Sequence, residues 1–386
     1  MAQSEQAGLD HSRLLHLKSV VEEDIRRQLY FGAVIMVARH GQIGLFEALG
    51  HADENRMRPV QRTSVFNLFS LSKAFTNVLA LHAIEQGRLA LTTPVAEVIP
   101  EFAGRGRDAI TLFHLLTCTS GMPGMYTPRN GMCIDRLPEV IGAICRLTQP
   151  GEPPGAHVEE SPMINHALMG EMIRRTDPAR RGFRELVQHD LLDPLALHDT
   201  SVGLRADLRA RHLPPEFRGN APADHLGHTQ PGPQGAFLEE QAEMPWVGLC
   251  GTAADLFRFA EMLRRGGELD GARILGPAIL NRARQCCTGT KPNETYRRIA
   301  EARGWRVIPA YIGMGFQLRG EELGHTVFGT LTSPGTFGNG STGTCLYWVD
   351  PALDMTFIGL CTGVMTAADN IDRWQRLSDI VVSAAL

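Results

Sequence analysis

The chain has few aromatic residues and no long apolar run. Phe, Trp and Tyr make up 6% of its 386 residues, and no stretch reaches the roughly 18 consecutive apolar residues of a transmembrane helix. Residues 1–12 are polar and lack a basic segment followed by an apolar run, so no signal peptide is expected. These absences predict a cytoplasmic protein with no membrane partner.

The sequence also lacks motifs typical of metal binding and of nucleic-acid binding. The eight cysteines include no Cys-x-x-Cys pair, which predicts reduced thiols rather than a zinc site. His157 and Glu159 lack a third ligand at suitable spacing, and no phosphate-binding glycine pattern follows a strand. The net charge of −4 and the absence of aromatics among the arginine clusters exclude a nucleic-acid partner. No metal and no cofactor are therefore expected.

Hydrophobic periodicity outlines secondary structure at both ends of the chain. It predicts a helix over residues 12–30, strands over 33–39 and 43–49, strands over 345–349 and 355–361, and a helix over 368–385. Residues 1–90 and 240–386 are therefore predicted to form one α/β domain. Residues 91–239, rich in Pro and Gly around 214–235, are predicted to form an inserted, mostly helical domain with long loops.

The strongest chemical signal lies near residue 70. Residues 66–73 precede a helical apolar run, which places Ser70 at or near a helix N-terminus. Lys73 then lies one turn further on the same side of the helix. A serine hydroxyl at the positive end of a helix dipole, with an amine beside it, is typical of an activated nucleophile. By itself this spacing is a weak signal, because serine commonly caps helices.

Several further segments occur in a fixed order along the chain. After SLSK at residues 70–73 they are ITLFHLLTCTSG at 110–121, LDPL at 192–195, GTAADL at 251–256, GNGSTGT at 338–344 and WVDP at 348–351. Over residues 30–362 the chain resembles the serine β-lactamase and penicillin-binding-protein-like superfamily, in particular its class C-like esterases and acyltransferases. The resemblance implies an α+β fold: an antiparallel sheet flanked by helices, a mostly helical domain over one side, and the active site between them.

The resemblance also implies an oxyanion site beside Ser70. The N–H groups of Ser70 and Ser341 would hold the oxyanion. Gly340 and Asn339 would lie at the substrate, because glycines at 338, 340 and 343 allow close approach of the backbone to a ligand. A glycine-rich turn that enters an edge strand is the alternative interpretation.

The family's second motif normally supplies a tyrosine that moves the proton of the nucleophile. The matching segment is PGAHVEESP at residues 154–162, which places Glu160 at the tyrosine position; a shift of one residue would place Ser161 there. A carboxylate beside the Lys73 ammonium favours the charged form of both groups, so Glu160 would be the proton acceptor. A solvent-facing acid at a helix start is the alternative, and Tyr126 could instead fold over the site.

The closing strand also indicates the substrate. Relatives that act on β-lactams or D-amino-acid peptides carry Lys or His there, whereas residues 338–340 carry no charge. This favours a neutral small-molecule ester, cleaved through an acyl-enzyme on Ser70. Acyl transfer and amide hydrolysis by the same route, or a degenerate ligand-binding protein, are the alternatives. No oligomeric state is predicted.

The surroundings of three further residues and one segment also indicate their roles. Cys118, where relatives have histidine, is predicted to be a packed core thiol. His166 is predicted to be a hydrogen-bonded structural residue. Trp246 and the segment from Pro214 onward are expected to line an acyl pocket.

Overall fold

A computed structural model describes residues 2–215, 239–341 and 345–386. Within these residues, six strands form one antiparallel sheet in the order β2-β1-β12-β11-β10-β9, so strands from the two ends of the chain are neighbours. A smaller four-stranded sheet has the order β4-β6-β3-β5. The strands are β1 Gly32–Arg39, β2 Gln42–Gly50, β3 Val65–Asn67, β4 Ser201–Val202, β5 His212–Leu213, β6 Leu249–Gly251, β7 Glu268–Leu269, β8 Ala272–Arg273, β9 Gln317–Leu318, β10 Phe337–Gly340, β11 Leu346–Asp350 and β12 Met355–Thr362.

Helices surround the large sheet. The described α-helices are α1 Ala2–Gln6, α2 His11–Arg26, α3 Ser72–Glu85, α4 Val95–Val98, α5 Leu112–Leu116, α6 Leu137–Leu147, α7 Ile164–Arg175, α8 Phe183–Val187, α9 Ala253–Arg264, α10 Pro277–Ala283, α11 Glu294–Arg303 and α12 Ala367–Val382. Among these, no helix is both long enough and apolar enough to cross a membrane.

The large sheet separates two hydrophobic cores because side chains alternate between its faces. On β11, Leu346 and Trp348 pack in one core together with residues of α2 and α12. Tyr347 and Val349 pack in the other core, which includes α3, α7 and α9. All five residues of β11 are buried, since the sheet is covered on both faces.

The predicted terminal elements are confirmed with small shifts. The opening helix ends at Arg26 instead of residue 30, and the final helix ends at Val382 instead of residue 385. The four predicted strands correspond to β1, β2, β11 and β12. His40 and Gly41 both have positive φ, 52° and 73°, as a tight hairpin turn requires.

The predicted fold class is also confirmed, while the domain boundaries at 90/91 and 239/240 stay a prediction. α4 to α8 all lie between residues 95 and 187, within the predicted helical insertion. Most of the segment from Pro214 onward lies outside the described residues. The four-stranded sheet was not predicted, because its strands are only two or three residues long.

Acid should destabilise the small sheet through His212. Its ring is buried and hydrogen-bonded to Asn67, with Nε2 2.7 Å from Oδ1, and burial lowers the pKa of His212 to about 4. The unfolded chain binds a proton at this site near pH ~6.5, whereas the folded chain does not until about pH 4. As the pH falls from ~6.5 to about 4, the contribution of His212 should therefore lower the free energy of unfolding by on the order of 3 kcal/mol.

Chemical denaturation between pH 8 and pH 4 measures this effect. His212→Gln should lose less stability on acidification than the wild type, while the exposed His157→Gln should behave like the wild type. Equal pH dependence in His212→Gln and the wild type would contradict the assignment.

Candidate active site

Ser70 lies in a short 3₁₀ turn, Phe69–Leu71, that leads directly into α3. Phe69 has φ of +46°, in the left-handed region that a bulky side chain rarely adopts. Such backbone strain is concentrated at functional sites. Within the described residues, neither the hydroxyl nor the backbone N–H of Ser70 makes a hydrogen bond. Among the described residues, no hydrogen-bonding group competes with a substrate for these two groups of Ser70.

Lys73 and Glu160 form an ion pair at the same site. The Lys73 Nζ lies 3.4 Å from Glu160 Oε1, and the exposed fractions of the two side chains are 6% and 28%. Lys73 comes from the first turn of α3, whereas Glu160 lies just before α7, which packs against α3. The structure therefore brings together the two predicted residues from positions 87 apart in the chain.

The structure also determines which residue of the second motif faces Lys73. Ser161 is buried, and its Oγ accepts a hydrogen bond from the N–H of Ile164 at 2.9 Å, which supports the start of α7. Glu159 forms an ion pair with Arg298 at 2.6 Å. Glu160 is thus the member of this segment that lies at the site, and the one-residue shift to Ser161 is wrong.

Gln317, on β9, connects Glu160 to the closing strand. Its Nε2 donates to Glu160 Oε2 at 3.3 Å, and its Oε1 accepts the N–H of Gly340 at 3.2 Å. This residue was missed by the sequence analysis, because β9 is two residues long and carries no motif. The bond to Gly340 orients the Gln317 side chain, and the bond to Glu160 holds the second carboxylate oxygen in place.

The predicted oxyanion role of the Ser341 N–H is wrong. This N–H donates to the carbonyl oxygen of Cys345 at 2.7 Å, directly beyond the last pair of the β10–β11 ladder, Gly340 and Leu346. Amides of a strand alternate between its two edges, and the N–H of Gly340 points to the opposite edge, where Gln317 accepts it. Gly340 is therefore the described residue of the closing segment whose amide faces the site, and Thr342 lies outside the described residues.

The predicted substrate contact of Asn339 is also wrong. Its Oδ1 accepts a hydrogen bond from the hydroxyl of Tyr347 at 2.9 Å, and Tyr347 packs edge-on against Phe259 of α9. Asn339 therefore faces the core rather than the cavity. The glycine at 338 has a structural reason as well, since a Cβ there would clash with the carbonyl oxygen of Tyr347.

Ser70, Lys73 and Glu160 open into a cavity of about 590 Å³. Gly340 and Ser341 also line it, as does Tyr126, whose pKa is raised by burial and by the nearby Glu160 charge. The predicted lining by Trp246 is confirmed, and its side chain is buried. The remaining wall is mostly apolar, with contributions from Met163, Val247, Ile299, Ile308, Ile312, Leu318, Val327, Phe328, Val364, Met365 and Ile371.

Two buried groups lie close to the ion pair. Burial and the Glu160 charge raise the pKa of the Cys118 thiol to about 12, so this thiol is packed and un-ionised, as predicted. Burial and the Lys73 charge hold the pKa of His166 well below its usual range. The Nε2 of His166 lies 3.1 Å from Asn77 Oδ1, which agrees with a structural role. Across the described residues, no three His, Cys, Asp or Glu side chains are grouped to hold a metal ion.

Comparison with known proteins identifies the family. The family model described as Beta-lactamase matches residues 17–381. The esterase EstB of Burkholderia gladioli is 37% identical over 125 residues, which are 31% of this chain and 32% of EstB. The chain thus matches about a third of the length of that relative.

Solved structures show the same fold over nearly the whole chain. A family VIII carboxylesterase superposes with a TM-score of 0.76 at 19% identity, covering 98% of this chain and 99% of that one. EstCE1, a hydrolase with promiscuous acyltransferase activity, gives a TM-score of 0.74 at 21% identity and covers 96% and 99%. The chain thus shares its fold with a carboxylesterase and with a hydrolase over nearly its whole length. The chain belongs to the β-lactamase family.

Proposed function

We propose that the chain hydrolyses neutral small-molecule esters through an acyl-enzyme on Ser70. The observation that carries this proposal is the contact between Glu160 and Lys73 at 3.4 Å, in the cavity that Ser70 also lines. It places a carboxylate where the resemblance expects a tyrosine. A carboxylate within reach of the nucleophile's lysine can accept the proton that must leave the serine hydroxyl.

In the acylation step, the Ser70 oxygen bonds to the ester carbonyl carbon as its proton passes to Glu160 by way of Lys73. The carbonyl oxygen becomes an oxyanion, and one donor to it is the N–H of Ser70, which has no hydrogen bond within the described part of the chain. The intermediate collapses when its bond to the alcohol oxygen breaks. The proton held by Glu160 returns to that oxygen, and the alcohol leaves.

In the deacylation step, Glu160 accepts a proton from water, which attacks the acyl carbon. Collapse of the second tetrahedral intermediate breaks the bond to Ser70 Oγ. The proton then returns to Ser70, and the carboxylic acid is released. Glu160 thus serves as base in both halves of the reaction and as acid for each leaving oxygen.

The charges around the cavity support a neutral substrate. Lys73 pairs with Glu160, and Arg298 pairs with Glu159. Arg319 donates to backbone carbonyls, including those of Gly320 and Thr330 at 2.8 Å. Lys73 and Arg298 therefore already have carboxylate partners, so a substrate carboxylate would have to compete for both of these cations, while Arg319 is held by backbone carbonyls.

The edge of the closing strand supports an ester over a peptide. An extended peptide binds a sheet edge through free backbone N–H and C=O groups. β9 pairs with the first part of this edge of β10. The next amide along the same edge is the Gly340 N–H, which donates its hydrogen bond to the Gln317 side chain. The names of the esterase EstB and of the family VIII carboxylesterase agree with this choice.

Comparison of three substrates tests the proposal. The protein should release p-nitrophenol continuously from p-nitrophenyl butyrate. Turnover of nitrocefin and of a D-alanyl-D-alanine peptide should be at least about 100-fold slower in kcat/KM, because the Lys73 and Arg298 charges are already paired with carboxylates. Faster turnover of either carboxylate-bearing substrate would contradict the assigned class. A single burst of nitrophenol without turnover would contradict hydrolysis.

A further inference from the structure

The cavity extends beyond the groups that perform the chemistry. A second set of lining residues comes from α11, from segments 308–312 and 325–328, and from residues 364–371 at the start of α12. We call the part lined by six of these side chains the apolar arm; they are Ile299, Ile308, Val327, Val364, Met365 and Ile371. α11 and α12 pack against each other, so the arm has walls from regular elements.

Three polar side chains beside the apolar arm are already hydrogen-bonded. The Asn370 side chain donates to the carbonyl oxygen of Ser341 at 3.0 Å and accepts from Arg373. The Thr366 hydroxyl donates to Asp369 at 2.6 Å, and the Tyr296 hydroxyl donates to a backbone carbonyl at 3.4 Å. These groups offer little to a polar ligand, so the arm presents hydrocarbon surface.

Resting on the proposed function, we infer that the apolar arm binds a hydrocarbon group of the ester, so that the substrates are neutral esters with a long or bulky apolar part. A cavity of about 590 Å³ lies in the size range of small-molecule sites. It greatly exceeds what an acetyl group requires. Each methylene buried in such a site should improve transition-state binding about three- to fourfold.

Two ester series test which side of the ester bond enters the arm. One varies the acyl chain of p-nitrophenyl esters from acetate to octanoate, and the other varies the alcohol of acetate esters from ethyl to octyl. In one of the series, kcat/KM should rise about three- to fourfold per methylene until the arm is filled. A flat or falling profile in both series, with acetate esters still hydrolysed, would overturn the apolar arm and leave the proposed function intact.

A substitution within the arm provides the matched comparison. Ile371→Phe reduces the space at α12. In the series that responds to chain length, the ratio of kcat/KM for the longest ester to that for the shortest ester should therefore fall at least about tenfold. The exposed Leu15→Phe on α2 should keep the wild-type ratio. The ratio is internal to each protein, so partial loss of folded enzyme does not affect it. An unchanged ratio in Ile371→Phe would contradict the inference.

Binding without turnover separates this inference from the chemistry. Ser70→Ala should bind the longest ester of the responding series at least about tenfold more tightly than the shortest ester of that series. Quenching of tryptophan fluorescence measures both affinities. Equal affinities would overturn the apolar arm. Absence of hydrolysis by the wild type would overturn the proposed function whichever affinities are found.

Discussion

Glu160→Gln should lower kcat for ester hydrolysis by about 10²- to 10⁴-fold, the usual contribution of a positioned general base. The amide keeps the shape of the side chain and the capacity to accept a hydrogen bond from Gln317, but it cannot take up the proton from Ser70. Since Glu160 acts in both half-reactions, acylation and deacylation should both become slow. Stopped-flow release of nitrophenol, followed into the steady state, measures the two rates.

Glu159→Gln is the matched control for this variant. Glu159 precedes Glu160 in the chain but pairs with Arg298 and does not line the cavity. Its kcat should stay within about threefold of the wild type, because exposed ion pairs contribute little. Equal losses in the two variants would contradict the assignment of Glu160 as base.

A double-mutant cycle that combines Lys73→Met with Glu160→Gln tests whether the ion pair acts as one unit. Residues that share one proton-transfer step show non-additive losses. The double variant should therefore lose no more activity than the more impaired single variant. Multiplied losses would show that Lys73 and Glu160 act independently.

Ser70→Ala should abolish turnover, with a fall in kcat of at least about 10⁴-fold, because no other group replaces the covalent route. The substitution removes one oxygen that makes no hydrogen bond within the described residues, so the melting temperature should hardly change. Steady-state rates with p-nitrophenyl butyrate, alongside thermal unfolding, check both expectations.

Cys118→Ala is the informative companion to Ser70→Ala. The thiol lies near Lys73 and Glu160, but burial raises its pKa to about 12, so it is not a thiolate at neutral pH. Cys118→Ala should keep the acylation rate within a few-fold of the wild type. Loss of acylation in Cys118→Ala together with its retention in Ser70→Ala would reverse the roles of the two residues.

The sequence predicted the parts of the site that depend on local geometry. Ser70 and Lys73 are three residues apart at the start of a helix, so helical periodicity alone places them together. Strands β1, β2, β11 and β12 were predictable for a similar reason, because each is a long apolar run bounded by turn residues. The union of the two chain ends in one α/β domain was predicted from the matching order of helices and strands at both ends.

The errors on the closing strand come from its period of two. A shift of one residue exchanges the two edges of a strand and its two faces. The assignment of Ser341 and Asn339 to the substrate was displaced in this way, since Ser341 bonds to Cys345 and Asn339 bonds to Tyr347. Glycine-rich sequence carries no apolar alternation from which the correct register could be read.

Gln317 and the apolar arm could not be predicted, because they depend on contacts distant in sequence. Gln317 meets Glu160 across 157 positions and has no distinguishing neighbours in the chain. The apolar arm combines side chains of α11, α12 and two irregular segments. Taken alone, the sequence of each of these four parts is typical of an ordinary hydrophobic core. Only tertiary packing shows that these side chains leave space between them.

In the proposed mechanism, Ser70 carries the acyl group during catalysis. The most direct measurement mixes the wild-type protein with p-nitrophenyl butyrate, quenches with acid within milliseconds, and locates any added butyryl group by peptide mass spectrometry. We expect a butyryl group on Ser70 that forms and disappears at rates consistent with steady-state turnover. Continuous turnover with the butyryl group on another residue, or with none on Ser70 at any time, would contradict it.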